Sequence, residues 1–305
     1  MSSTVGVVGA GAFGRALAEA IARRGHEVLL WSRRRIEVKG VTCAAEVSRL
    51  AAADLIFVSV PSMHVPALAP ELGQHLDGRH LLVHVSRGLI GDDLTTVAQH
   101  LSANTPCRRV GCLAGPLNSE GLAEDVPGVG VVGTGFGEVA DAVREALAGP
   151  DLRLYETDDR IGVEVASALV GLLALAAGFG LEKRVTPAAL ATMLNRGVAE
   201  AARVGQKLGG REETFHGMAG AGDLLAAVAG DERAEVRLGR AMARGLDLQR
   251  AGAEAGAYIE GVTIARRVAA YAEGVGIDAP IASVLADMIA GKLSEEGAIT
   301  TLMSR

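Results

Sequence analysis

The residues with the plainest chemical purpose stand near the start, as Gly9-Ala10-Gly11-Ala12-Phe13-Gly14. The spacing is G-x-G-x-x-G. The first glycine of such a loop permits a tight turn, the second lets a pyrophosphate reach the backbone, and the third lets a helix pack on a strand. The helix behind it offers N–H groups and its positive dipole end to an anion. The context is right, since an apolar strand precedes the loop and an amphipathic helix follows it; the plainer reading is a glycine-rich turn. The second strand ends in Trp31-Ser32-Arg33-Arg34-Arg35. Sites for NAD usually carry an acid at that point to hold the ribose hydroxyl. Here there is none, and arginines suit a 2′-phosphate. NADP is therefore favoured over NAD as cofactor, against the alternative of a solvated basic loop.

Other polar residues sit where chemistry is feasible. His64 follows Val60-Pro61-Ser62-Met63 at the C-terminal end of a strand, the edge at which ligands of parallel sheets bind. His84 lies in the next strand, ahead of Ser86-Arg87. Either is placed to serve as an acid, and each also reads as an ordinary histidine of a cleft edge or a sheet. Asp223 stands at an expected helix start, where capping alone would explain it. Cys43, Cys107 and Cys112 lack metal spacing, and no metal site is expected.

The elements that must hold these residues are legible as patterns. "VGVVGAG", "HEVLLWSR", "VTC", "DLIFVSVP", "HLLVHVSRG", "RRVGCLAGP", "GVGVVGTG" and "DLRLYET" read as strands, and "FGRALAEAIARRG" and "AAEVSRLAAA" as helices. Near-continuous apolar strands separated by helices imply a parallel sheet covered on both faces, a doubly wound α/β (Rossmann) domain. From Asp159 onward the segments become long, alanine-rich and helical: 163–177, 187–208, 222–229, 232–244, 258–274 and 280–290. The expected division is residues 1–158 for a dinucleotide-binding domain and residues 159–305 for an all-helical substrate domain.

Composition narrows the partners. A net charge of −6 argues against nucleic acid, and 3% aromatic residues leave little for base stacking. The few cysteines fit a reducing compartment, and no signal peptide is read at the N-terminus, so a cytoplasmic protein is expected. The longest uncharged run, Val165 to Leu181, is read as a buried core helix and not a membrane span. The long helices could bury a homodimer face, although their patterning marks none.

Together these stretches resemble the bacterial NAD(P)-dependent glycerol-3-phosphate dehydrogenases over nearly the whole chain. The resemblance rests on "GAGAFG", "LLWSR", "DLIFVSVPS", "SRGL", "GPLNSE", "RIGVEVASAL", "APIASVLADMIAGK", Glu260-Gly261 and, most specifically, "FHGMAGAGDL". It implies a Rossmann domain and a helical domain with the active site in the cleft between them. It also implies hydride transfer between a nicotinamide and a secondary alcohol, with a lysine as acid/base. That lysine and the asparagine after it fall on Val170 and Gly171. A second family lysine falls on Arg87. The family aspartate is kept as Asp223, and a threonine four residues on becomes Ala227. The family's Ser-Arg-Asn falls on Arg233, Ala234 and Glu235. In the segment after the sixth strand Gly115 and Pro116 are kept, and Leu117, Asn118 and Ser119 replace other residues.

The expected cofactor residues are therefore Gly9, Gly11, Ala12, Phe13, Gly14, Arg33, Arg87, Ser119 and Glu260, with Gly115 and Asp223 at the substrate. Catalysis is expected from Asp223, Arg87 and His64. Losing an acid/base group typically costs about 10²–10⁴-fold in rate. Three readings follow: an NAD(P)-dependent oxidoreductase with a changed, non-phosphorylated small-molecule substrate; an inactive NAD(P)-binding sensor or scaffold; or a residual enzyme reducing dihydroxyacetone phosphate.

Overall fold

The computed structural model describes residues 3–34, 36–124, 126–147, 149–230, 233–256 and 260–303. Arg35, and the expected helix starts at residues 232 and 258, lie outside the described residues. Contacts divide the chain into one unit of Met1–Ile90 and Thr96–Glu164 and another of Gly91–Thr95 and Val165–Arg305.

The first unit holds one eight-stranded sheet and, after α1 (Ala12–Arg23), the helices α2 (Val65–Gly73), α3 (Val97–Asn104), α4 (Ser119–Glu124) and α5 (Gly137–Leu147). Its strands are β1 (Thr4–Val8), β2 (Glu27–Trp31), β3 (Thr42–Ala44), β4 (Leu55–Val58), β5 (Leu81–His84), β6 (Val110–Ala114), β7 (Gly128–Gly133) and β8 (Leu152–Thr157). They lie in the order β8-β7-β6-β5-β4-β1-β2-β3. The chain leaves β1 toward one edge and returns to its other side at β4, which makes β1/β4 the topological switch point. Side chains alternate between faces. Val5, Val7, Phe57 and Val83 enter one core, under α1 (Ala12–Arg23), while Val8, Ile56, Val58 and Leu82 enter a second core on the opposite face. This is why β4 and β5 carry no polar alternation: every residue of both strands is buried.

Two local expectations change. The stretch read as a helix at "AAEVSRLAAA" is a 3-10 segment, Val47–Ala52. The β6–β7 pair is antiparallel, whereas all the other pairs in the sheet are parallel. The only described helix between β6 and β7 is the six-residue Ser119–Glu124. At 1.5 Å per residue it rises about 9 Å. A five-residue strand such as β6 spans about 16 Å. The chain therefore turns back beside β6 instead of crossing over.

The second unit is helical. Its helices include most of α6 (Arg160–Glu182), then α7 (Pro187–Lys207), α8 (Glu212–His216), α9 (Asp223–Ala229), α10 (Ala234–Ala243), α11 (Leu248–Ala255), α12 (Gly261–Val275), α13 (Pro280–Ile289) and α14 (Glu295–Met303). α6 is apolar and long enough to cross a membrane, yet 94% of its apolar window is buried inside the protein. It is the core helix expected from its composition.

One buried charge fixes the end of another helix. Glu200 of α7 accepts the amides of Ile281 and Ala282, each at 2.9 Å, at the start of α13. The N-cap residue of α13 is Ala279, which offers no side-chain acceptor. The carboxylate takes the place of a missing cap. Glu200→Ala is expected to cost about 2–3 kcal/mol by stranding two buried donors, with Glu200→Gln costing less because one acceptor oxygen remains. Chemical denaturation of the two variants checks this.

Candidate functional site

The loop after β1 is built by steric pressure on two sides and open space on the third. Gly9 turns at φ +103°. A Cβ there would lie 2.2 Å from the Ser59 carbonyl oxygen, and one on Gly14 would lie 2.0 Å from the Gly9 carbonyl oxygen. The loop after β1, the loop after β4 and the first turn of α1 thus meet without room for side chains. Gly11 differs, because a Cβ there would meet nothing within 4 Å. It is the exposed N-cap of α1, with no capping side chain and no acid in the first turn. The Arg15 amide pairs with the Gly11 carbonyl at 3.0 Å. The amides of Ala12, Phe13 and Gly14, one turn earlier, have no carbonyl partner within the helix. An open row of donors at a positive helix end is suited to a pyrophosphate, and it stands at the β1/β4 switch point.

Around this loop the same unit places several expected residues. Arg33 and Arg34 are exposed just past β2. His64, half-buried, ends the 3-10 turn Ser62–His64 after β4. Beyond β5, Ser86 donates its hydroxyl to the Val60 carbonyl at 2.7 Å. Arg87 donates to the carbonyls of Gly115 at 2.9 Å and Leu117 at 3.1 Å, which brings Arg87 and Gly115 together. Its guanidinium braces the turn that follows β6, where Gly115 has φ +92°. Ser119, by contrast, turns its hydroxyl to Glu120 at 3.1 Å.

Below the sheet's end lies a pairing that sequence reasoning did not single out. His84, the last residue of β5, meets Glu164 at 2.7 Å, and both are almost wholly buried. The other contacts of Glu164 are the Ala98 amide at 2.8 Å and Arg160 Nε at 3.5 Å. Burial pushes its carboxyl upward. The charge and hydrogen bond of His84, the Ala98 amide and Arg160 outweigh this and hold it below the usual value. Cys112 Sγ lies close by, its thiol pushed well up by burial and by the charge of Glu164. These three groups lie close together; Glu164 Oε1 takes both His84 and the Ala98 amide, while Oε2 is buried with only Arg160 Nε, at 3.5 Å, beside it.

In the helical unit a π-helical turn, Met218–Gly222, delivers Asp223 to the first turn of α9. Such turns recur at functional sites. Asp223 is buried and accepts a hydrogen bond from Arg233 Nη1 at 2.8 Å. Arg233 Nε meets Glu235 Oε2 at 3.4 Å. Burial draws the guanidinium's pKa down, and the charges of Asp223 and Glu235 more than offset that, so it stays cationic. The other oxygen of Glu235, Oε1, lies 3.5 Å from where a side chain on Gly171 would begin. Val170, beside Gly171, is 2% exposed. Ala227 is buried among apolar neighbours, and Glu260, half-buried, immediately precedes α12. Reading Arg233 only as a lost serine missed its role as the cation of this group.

Comparison with known proteins agrees with this architecture. Residues 159–300 match the family described as NAD-dependent glycerol-3-phosphate dehydrogenase C-terminus, and residues 4–88 match NADP oxidoreductase coenzyme F420-dependent. A glycerol-3-phosphate dehydrogenase (NAD(P)+) of Azorhizobium caulinodans is 31% identical over 320 residues, covering 99% of this chain and 96% of its own. That of Deinococcus radiodurans is 33% identical over 323 residues, covering 99% and 95%. The crystal structure of glycerol-3-phosphate dehydrogenase from Coxiella burnetii superposes with a TM-score of 0.92 at 23% identity, covering 100% of this chain and 99% of its own. The sheet order, the glycine loop and these matches define a Rossmann-type oxidoreductase with a helical second unit. Within that class, the chain belongs to the NAD(P)-dependent glycerol-3-phosphate dehydrogenase family.

Proposed function

We propose that this chain is an NAD(P)-dependent oxidoreductase whose substrate is a small molecule without a phosphate group. The observation that carries the reading is Arg233, held between Asp223 and Glu235. The resemblance puts the family's anion grip at this place, and here the nearest cation is already matched by two carboxylates. A phosphate dianion brought to this group would face net negative charge. Like charges 4 Å apart repel by about 4 kcal/mol at an effective dielectric constant of about 20.

Val170 supports the same reading. At the place the resemblance gives to the catalytic lysine, a buried valine can neither take nor give a proton. Lys183 stands 13 residues further along the chain, about 20 Å away at helical rise. In this reading the Gly9–Gly14 loop holds the pyrophosphate of the cofactor, Arg33 and Arg34 meet a 2′-phosphate, and Ser119 and Glu260 line the cofactor's path. The bound nicotinamide supplies the hydride. Arg87, braced on the carbonyls of Gly115 and Leu117, orients polar groups near it but stays protonated and cannot be the base. His64, at the switch-point edge, is the titratable group in position to pass a proton. The three cysteines, Cys43, Cys107 and Cys112, are unpaired thiols, which fits a cytoplasmic setting.

The test is NADPH oxidation with dihydroxyacetone phosphate, for the wild type and for Val170→Lys. The expected wild-type rate is at least about 10³-fold below an ordinary turnover of about 10 s⁻¹. Lysine alone should not restore it, because Arg233 remains engaged. A wild-type rate within about tenfold of ordinary turnover would overturn the reading.

A further inference from the structure

The two halves of α7 pack differently. In its C-terminal half Gly197, Val198, Ala201 and Val204 are buried, and a Cβ on Gly197 would lie 2.3 Å from a methyl carbon of Leu173 in α6. From Pro187 to Arg196 none of its residues is buried. Ala189, Met193 and Arg196 nevertheless recur at the spacing of a single helix face. Ala176, Phe179 and Lys183, along and just past α6, do the same. These two stripes, with α13 and α14 as the other walls, enclose a cleft of about 810 Å³ including its open mouth. Clefts of about 300–1,000 Å³, apolar but for a few polar groups, are the usual form of a small-molecule site. This one lies wholly within the helical unit and shares no lining residue with the group around Asp223.

The polar lining is confined to Lys183, Thr192 and Arg196, and no lining residue is acidic. Thr192 turns its hydroxyl back to the Ala188 carbonyl at 2.8 Å. Lys183 is exposed, over the Phe179 ring at 5.8 Å from its centroid. Arg196 is half-buried and donates Nη1 to the Leu302 carbonyl of α14 at 2.9 Å. A guanidinium carries five N–H donors. Those that remain on Arg196 meet no acceptor among the described residues. A cation set against apolar walls favours an anion that carries an aliphatic tail, because the pair gains strength where water is displaced.

We propose that this cleft binds a medium-chain aliphatic carboxylate, with the carboxylate on the Arg196 guanidinium and the chain running past Met193 toward Ala189. Between Ala189 and Arg196 the helix rises about 10 Å, close to the extended length of about eight carbons. Binding is reversible, and no covalent bond forms or breaks. The site stands apart from the cofactor loop and does not depend on which substrate is reduced.

Titration calorimetry of the full chain with hexanoate, octanoate and octan-1-ol reads the tail and the head separately. Each CH₂ that leaves water tightens binding about fourfold, so octanoate should bind about tenfold more tightly than hexanoate. Octan-1-ol should bind about tenfold or more weakly than octanoate, since it lacks the charge-assisted contact. Octanoate binding should carry a negative heat-capacity change. Arg196→Gln should weaken octanoate about tenfold or more and leave octan-1-ol unmoved, whereas a merely structural role for Arg196 would weaken both. Ala189→Trp fills the cleft and should abolish binding of both, with thermal melts showing that the variant is folded.

Equal affinity for hexanoate and octanoate, or octan-1-ol bound as tightly as octanoate, overturns the proposal. So does the lack of saturable octanoate binding up to about 5 mM. Octanoate binding that survives Arg196→Gln and is lost in Lys183→Gln overturns the assignment of the carboxylate to Arg196. A dimer in analytical ultracentrifugation that Ala189→Trp dissociates and octanoate does not would mean that a second copy covers the cleft, which overturns it as well. None of these outcomes bears on the proposed function, whose test is turnover.

Discussion

Gly14→Ala is expected to weaken NADPH binding by about 100-fold or more, and Gly11→Ala by about tenfold or more, for different reasons. The two glycines share a loop but differ in what surrounds them. An alanine methyl at position 14 would sit 2.0 Å from the Gly9 carbonyl oxygen, and 3.1 Å from Ser59 Oγ. The first neighbour is backbone, so α1 must move off the loop, and a displacement of about 1 Å can cost about 10² in a positioned site. The same shift should lower the melting temperature of this unit. At position 11 the methyl meets nothing within 4 Å, and the backbone, at φ −64°, suits alanine. Stability should therefore change by only a few tenths of a kcal/mol, roughly the difference between weak N-caps. The methyl would nonetheless occupy the space in which a pyrophosphate approaches the amides of Ala12 and Phe13. A Gly11→Ala protein that melts and binds NADPH like the wild type would show the loop to be a glycine-rich turn and nothing more. Paired thermal melts and fluorescence titrations read both quantities.

The ease with which each part was legible follows from the range of the interactions involved. The inner strands of the sheet stand out as short apolar runs because both faces of the sheet are buried there, whereas the edge strands β3 and β8 are largely exposed. The glycine loop is legible because its requirements are local: a turn, a contact and an opening within six residues. The 3-10 segment at Val47–Ala52 reads as a helix in sequence because alanine and leucine favour either form over so short a stretch. The reversal between β6 and β7 depends on whether the linking helix is long enough to cross, which hydrophobic pattern does not reveal. In sequence Arg233 reads as the absence of a serine, although an arginine side chain is long enough to turn back to a residue ten positions earlier. A basic residue two places from an acid, after a glycine-rich turn ending in aspartate, was the available signal. Glu164 left a fainter one: a charge at the edge of an otherwise apolar helix must find a partner. Its partner, His84, is 80 residues away, a separation that periodicity cannot bridge.

Removing one member of that buried pair should be the most damaging single change outside the glycine loop. Glu164→Ala strands His84 and the Ala98 amide where each is closed off from water, and breaking one side of a buried pair typically costs about 3–5 kcal/mol. On a unit of roughly 150 residues that corresponds to a fall of about 10 °C in melting temperature. Replacing both partners with leucine should cost less than Glu164→Ala, since His84 is then no longer stranded and only the Ala98 amide and Arg160 lose their partner. That ordering separates an ion pair from simple loss of volume.

The pH dependence has a fixed sign. The native carboxyl of Glu164 is held below the ordinary carboxyl value of 4.5, so its contribution is complete above that value and is lost as pH falls toward the depressed native one. The gap in melting temperature between wild type and Glu164→Gln should therefore be full at pH 7 and narrow below about pH 4.5. A gap that widened on acidification would mean that the carboxyl is protonated in the native state and that the pair is not ionic. Because His84 ends β5 three residues before Arg87, the loss should extend beyond stability. The segment carrying Ser86 and Arg87 is anchored from below by this pair and from the side by Val60, Gly115 and Leu117. Releasing the lower anchor should raise KM for substrate even under conditions where the variant is fully folded.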